Sequence, residues 1–198
     1  MPVVLEDLDH YLPVTLHKPD LTEEEWFEFC SKYDDFRIEY SAEGDLILMP
    51  GTDLFTGQRN SFIGMQLTAW ALTEGRGVTG DSSTAFLLPS GARLSPDASW
   101  TSRRRFSSLA TSAKHMPVMA PDFVIELKSA TDSRRKLHEK MVEWIEAGVL
   151  VGWLIDPEGK RVTGYRPNAT PVDHDNLDSI AGEGPVAGFV LDLTPVWR

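Results

Sequence analysis

Cysteine is nearly absent from this 198-residue chain, and positive charge is scarce. A single Cys30 excludes an intrachain disulfide and any cysteine-rich metal site. The five histidines, His10, His17, His115, His138 and His174, fall at no spacing that pairs them as zinc ligands. No glycine-rich loop of the G-x-G-x-x-G or lysine-ending type occurs, which argues against a nucleotide-binding fold, and no G-x-S-x-G elbow is present. No apolar run approaches the length of a membrane span. The single cysteine points to a cytoplasmic location, and the first residues, MPVVLEDLDHYLPV, are acidic rather than basic-then-apolar and predict no secretory signal. The net charge of −11 speaks against tight non-specific binding to DNA, which relies on Lys and Arg against phosphates.

What is present is a large hydrophobic inventory, 41% of the residues with six Trp and nine Phe, enough for one fully cored domain over residues 1–198. The charge is uneven. Residues 1–100 hold seventeen acidic and six basic groups, whereas 103–140 hold nine basic and four acidic. An anion-facing cleft in an acidic protein is compatible with that distribution.

The patterning predicts an α/β chain. Thr22 with Glu25 forms a capping box for an amphipathic helix reaching about Tyr33. Phe36–Tyr40 and Asp45–Met49 form a hairpin across Ser41-Ala42-Glu43-Gly44. Thr56 or Gly57 opens a second helix with Asn60, Ile63, Leu67 and Trp70 or Ala71 on one face, stopped at Gly75 or Gly77. Strands are expected at Gly77–Gly80, Ser83–Leu88 and Asp97–Thr101, with Pro89-Ser90-Gly91 as a turn. Residues 102–120 read as an insertion or a mobile arm. The near-continuous apolar run Phe123–Leu127 predicts a central strand. A helix capped by Thr131 or Asp132 runs to about Ala147, a buried strand covers Val149–Ile155, and Arg161–Arg166 is its partner. Residues 167–188 are expected to be irregular, before a last strand at Phe189–Leu193.

The chemistry is concentrated in two of these strands. Asp97, in Ser95-Pro96-Asp97-Ala98-Ser99-Trp100, is separated by twenty-eight residues from Glu126-Leu127-Lys128. Two carboxylates can hold Mg²⁺, which prefers oxygen ligands and keeps several waters, and the carbonyl of Leu127 can complete the set. Strand alternation places Glu126 and Lys128 on one face, so Lys128 can orient or deprotonate a water or hold a phosphate. Arg134-Arg135-Lys136 are well placed to touch a phosphate backbone. Arg103-Arg104-Arg105 read equally as a phosphate contact or a solvated loop. Asp122 reads as a structural turn residue, and Gln58 and Asn60 as caps of their helix.

These residues, with the hairpin Arg37–Tyr40 to Gly44–Pro50, the helix start Thr56–Asn60, Asp81–Phe86, Glu139–Lys140–Met141, Glu143–Val149, Gly152–Pro157 and Gly188–Leu193, resemble the Uma2 family (DUF820). That family abounds in cyanobacteria and lies in the PD-(D/E)XK nuclease superfamily. The resemblance covers nearly the whole chain. It implies a restriction endonuclease-like α/β core over about residues 20–193, a central mixed β-sheet flanked by helices, with an N-terminal helix and β-hairpin. It implies a Mg²⁺-dependent endonuclease hydrolysing DNA phosphodiesters, with Mn²⁺ as a substitute metal and no organic cofactor. Asp97 and Glu126 match the family's metal-binding carboxylates. In many members a Lys on the following helix replaces the one two after the Glu, and this chain has both Lys128 and Lys140. Glu39 matches a Glu of the first hairpin that faces the cleft. Asn60 stands where members often carry His; since Asn cannot shuttle a proton, weight shifts to Lys128. A homodimer is implied by analogy with related enzymes that cut duplex DNA. The alternative is a catalytically silent relative that binds nucleic acid or a protein partner.

Overall fold

The computed structural model describes residues 13–19, 21–109 and 118–198. In chain order its elements are β1 (Val14–Leu16), α1 (Glu23–Lys32), β2 (Arg37–Tyr40), β3 (Leu46–Met49), α2 (Leu54–Glu74), β4 (Gly77–Gly80), β5 (Phe86–Leu87), β6 (Arg93–Leu94), β7 (Ala98–Ser102), α3 (Arg103–Ser107), β8 (Phe123–Leu127), α4 (Arg134–Glu146), β9 (Val151–Asp156), β10 (Arg161–Tyr165), β11 (Val172–Asp175), β12 (Ser179–Ala181) and β13 (Val190–Asp192). No helix among the described residues is long and apolar enough to cross a membrane.

The central sheet has six strands in the order β11-β10-β9-β8-β7-β4. It is mixed: β8 and β9 run parallel, joined by α4, while its other pairs are antiparallel. A parallel pair needs a crossover, and the helix supplies it. All five residues of β8 are buried, which is why its sequence is so apolar. On one face Phe123, Ile125 and Leu127 pack with Ile63, Leu67 and Ala71 of α2 and with Phe189, Leu191 and Leu193. On the other, Val124 and Leu154 pack with Met141 and Trp144 of α4 and with Phe86, Leu88 and Leu94. Glu126 alternates with Ile125 and Leu127 and therefore belongs to the α4 face.

A second sheet, in the order β1-β3-β2-β6-β5, carries α1. Trp26 and Phe29 of α1 bury against Leu46 and Leu48, with Ile38 and Tyr40 beside them. Since Ile38 and Tyr40 face α1, Arg37 and Glu39 face the other way. The capping box at Thr22 and Glu25 forms as expected.

Several boundaries differ from expectation. Helix α2 starts at Leu54, capped by Asp53 rather than by Thr56 or Gly57; the exposed Leu54 and Phe55 hide the true start from a pattern search. Asn60 thus lies inside the helix and caps nothing. Helix α4 is preceded by Ser133 as N-cap; Asp132 instead accepts hydrogen bonds from Ser129, closing the turn after β8. Residues 167–188 are not irregular throughout, since β11 and β12 lie there, both short and largely exposed. Strand β1 and the two-residue β6 carry too little pattern to be read. Of the expected 102–120 arm, α3 is described, and residues 110–117 lie outside the described residues.

Candidate active site

The antiparallel register of β7 and β8 pairs Ala98 with Ile125. Continuing it by one residue sets Asp97 opposite Glu126. Side chains so opposed share a face with their Cβ atoms about 4.5–5.5 Å apart. Both carboxylates are buried, Asp97 at 7% exposure and Glu126 at 1%. The Leu127 amide donates to Asp97 Oδ2 at 2.7 Å and locks the two strand ends together. The N–H and C=O of one strand residue project to the same edge, so the Leu127 carbonyl faces the Asp97 side as well.

Buried carboxylates need partners, and helix α4 and strand β2 provide them. Lys140 extends from α4, with Nζ 2.9 Å from Glu126 Oε1, 2.7 Å from Glu39 Oε1 and 3.0 Å from the Ser95 carbonyl. Trp144, one turn later, donates its indole N–H to Glu126 Oε1 at 2.8 Å. Arg37 Nη1 donates to Asp97 Oδ1 at 3.0 Å; its Nη2 donates to the Ser95 carbonyl and lies 3.5 Å from Glu39 Oε1. Asn60 Nδ2 reaches Asp97 Oδ1 at 3.3 Å. Glu39 also accepts the Ser95 amide. Three carboxylates and two cations from four elements thus meet at the carboxyl end of β8.

Burial sets the electrostatics. It pushes the Glu126 carboxyl up, to about 7; Lys140 and Arg37 oppose the rise, while Asp97 and Glu39 add to it. Burial alone would lower the Lys140 ammonium, but Glu126 and Glu39 outweigh it and raise it. The same balance, with Asp97 foremost among the acids, raises Arg37. Their partners hold both cations in the charged form, while desolvation moves the Glu126 carboxyl up toward neutrality.

Lys128 goes elsewhere. Strand β8 ends at Leu127, the Lys128 amide still donates to the Ile155 carbonyl, and the chain then turns. Its ammonium donates to the Ser129 carbonyl and sits 3.6 Å from Glu158. Of the two lysines, Lys140 meets Glu126 and Lys128 does not, because strand alternation says which face a residue has but not where the strand stops. Arg37 and Trp144 join the site without having been singled out. For Arg37 the signal was present: Arg-x-Glu on a strand whose intervening residue is apolar puts both charges on one face.

The arginines considered as phosphate contacts are mostly engaged. Arg105 donates to the carbonyls of Ala120, Pro121 and Gly148 and pairs with Asp122, which is a structural residue as expected. Arg134 pairs with Asp173, and Arg135 with Glu139.

Among the described residues no three His, Cys, Asp or Glu side chains are arranged to hold an ion by themselves. Mg²⁺ does not require that many, since it keeps waters. Asp97, Glu126 and the Leu127 carbonyl form an all-oxygen set with a carboxylate destabilised by desolvation, and such a set suits a hard divalent cation.

No curated protein matches the sequence. A crystal structure at 1.96 Å of "a putative nuclease belonging to DUF820" from Anabaena variabilis ATCC 29413 is similar, with a TM-score of 0.72 and 19% identity over 89% of this chain and 97% of that one. At that identity the likeness concerns the fold, an α/β architecture with a central mixed sheet flanked by helices, consistent with the PD-(D/E)XK type. The profile of the family "Uma2: Putative restriction endonuclease" matches residues 23–194, and the chain belongs to the Uma2 family.

Proposed function

We propose that this protein is a Mg²⁺-dependent endonuclease that hydrolyses DNA phosphodiester bonds, with Asp97, Glu126 and the Leu127 carbonyl holding the metal. The observation that carries this proposal is the opposition of two buried carboxylates across β7 and β8 with the Lys140 ammonium 2.9 Å from one of them. A divalent cation there, Mn²⁺ serving as well as Mg²⁺, supplies a nucleophilic water at neutral pH and relieves charge on the phosphate. Lys140 is the working lysine. Its raised pKa makes it a permanent donor rather than a proton acceptor, so it orients the attacking water or stabilises the phosphoryl oxygens. Glu39 positions Lys140, and Trp144 fixes the Glu126 oxygen. Asn60 steadies Asp97. Lys128 takes no part in this scheme. By analogy with related enzymes, the protein acts as a homodimer.

A second function is favoured by one observation. Arg37 and Lys140 already occupy Asp97 Oδ1 and Glu126 Oε1, so the cluster is largely neutralised from within. A nuclease-fold protein that binds nucleic acid or a protein partner without cutting is consistent with that closure. Mn²⁺ titration and cleavage of a plasmid and single-stranded panel, beside Glu126→Ala and EDTA controls, separates the two. Metal-dependent cutting lost in the variant supports the nuclease; a folded protein with neither metal binding nor cutting overturns it.

A further inference from the structure

We propose that the cleft between α2 and the segment running from β4 to β5 is a nucleoside subsite, taking one unpaired nucleoside beside the scissile phosphodiester. This inference rests on the nuclease function above and names the form of substrate that function uses.

The cleft measures about 720 Å³ and ends at Asp97. That size falls within the ~300–1,000 Å³ typical of sites for small organic groups, and is far too small for a duplex. Helix α2 supplies Gly57, Ser61, Gly64 and Thr68 to one wall. Steps of four, three and four place them on one face of the helix. A Cβ added at Gly57 or Gly64 meets nothing within 4 Å, so these glycines serve no close packing contact; they leave room. That is notable because glycine costs about 1 kcal/mol against alanine inside a helix.

The lining decides the chemistry. It contains no Lys or Arg, and it includes Asp81 and Asp97, so it repels the phosphates of a passing strand. It contains no aromatic ring, so it offers no stacking platform. What it offers is backbone and the hydroxyls of Thr79, Ser82 and Thr84 on the β4 side, Thr79 already paired with Thr68 and Thr84 with Asp81, and Met65 as apolar surface. Such a surface fits an uncharged group that is partly apolar and rich in hydrogen-bonding atoms. The portion of a nucleic acid with those properties is the base with its sugar. Asn60 stands where the cleft meets the metal-binding carboxylates. A carboxylate accepts hydrogen bonds, so the amide nitrogen is the atom facing Asp97, and Oδ1 is left buried without a partner among the described residues. A donor arriving at this end of the cleft satisfies Oδ1 after a modest turn of the amide, whose χ2 is soft. A base held within a duplex cannot enter such a cleft; it has to leave the stack. The preferred substrate is therefore single-stranded DNA or a frayed end.

The test is Gly64→Leu, which fills the cleft from a position with free space, with Gly57→Leu as a second variant should the first not fold. Binding of a fluorescein-labelled short single strand in Ca²⁺, Mn²⁺ affinity, and the cutting of single-stranded against fully paired DNA are measured for each. The wild type is expected to favour the single strand, and the variant to bind it about tenfold or more weakly, a loss of about 1.4 kcal/mol, with Mn²⁺ affinity unchanged. A wild type that cuts and a folded, filled variant that binds and cuts single strands equally well overturns the subsite while leaving the nuclease intact. A wild type that neither holds Mn²⁺ nor cuts overturns the nuclease, and the subsite with it.

Discussion

The cluster around Glu126 and the arginine–aspartate group on β10 and β11 use the same side-chain chemistry in opposite surroundings. On the sheet edge Arg161 pairs with Asp175 and Asp173, and Arg134 with Asp173, all of them partly open to water. Thr163 adds a hydroxyl at 2.6 Å from Asp173. Pairs of this kind contribute about 0–1 kcal/mol, because water solvates either partner nearly as well when the other is removed. At the end of β8 there is no such substitute. Glu126 is 1% exposed, and its charge is supported by Lys140, Trp144 and the nearby Arg37. Removing one partner there leaves a buried charge uncompensated, at a typical cost of about 3–5 kcal/mol. A protein does not need that arrangement to hold a helix on a sheet, which leucines do more cheaply. Burial of this many charges at one strand end is what singles it out as a candidate site.

The sharpest way to break this contrast is Lys140→Met. Cutting is expected to fall by about 100-fold or more, in line with the loss of one preorganised donor. Stability should fall by about 3 kcal/mol at alkaline pH, measured by urea unfolding. The sign follows from Glu126. Its folded pKa is raised, to about 7 from an ordinary 4.5, so the stability tied to its proton is present at low pH and lost as pH rises through that window. Without Lys140 the loss steepens, and acid relieves it. An Arg161→Ala variant that destabilised as much would dissolve the distinction between the two regions.

In the proposed site the same titration would govern metal binding. A cation needs Glu126 ionised, so Mn²⁺ affinity should rise by up to about tenfold per pH unit below the Glu126 pKa and level off above it. Calorimetric titrations at several pH values report that slope, and a flat profile removes Glu126 from the ligand set.

Arg37→Met sharpens the comparison in the other direction. The guanidinium now holds Asp97 Oδ1, an oxygen the metal would use. Giving up that pair weighs against metal entry, so the variant is expected to bind Mn²⁺ more tightly, by up to about tenfold, equivalent to ~1.4 kcal/mol. Weaker binding would mean that Arg37 organises Asp97 rather than competing for it. The smallest effect is expected at Lys128→Ala: less than about 1 kcal/mol of stability, as for a partly exposed pair, and cutting within about twofold of wild type.

Much of this was legible beforehand. The apolar run Phe123–Leu127 with a carboxylate inside it marks a central strand and a position that must find partners, because an apolar environment tolerates Glu126 only with them. Asp97 followed from its spacing and from the family resemblance. Of the two lysines the sequence favoured Lys128, whereas Lys140 is the one that meets Glu126. Which of them meets Glu126 depends on where β8 ends and on how far a four-carbon stem reaches from α4, and neither leaves a local pattern. Trp144 is a core residue, and its indole N–H toward Glu126 depends on the rotation of α4 over the sheet. The α2 start was missed because Asp53 caps a first turn whose Leu54 and Phe55 are exposed rather than buried.

The most direct test of the central claim is Mn²⁺ binding by isothermal titration to folded wild type, Asp97→Asn, Glu126→Gln and Lys128→Ala. The account predicts binding by wild type and Lys128→Ala alike, and a loss of about 100-fold or more in each carboxylate variant, as expected when a charged ligand is removed from a metal site. Equal binding by all four proteins, or none by the wild type, would contradict it.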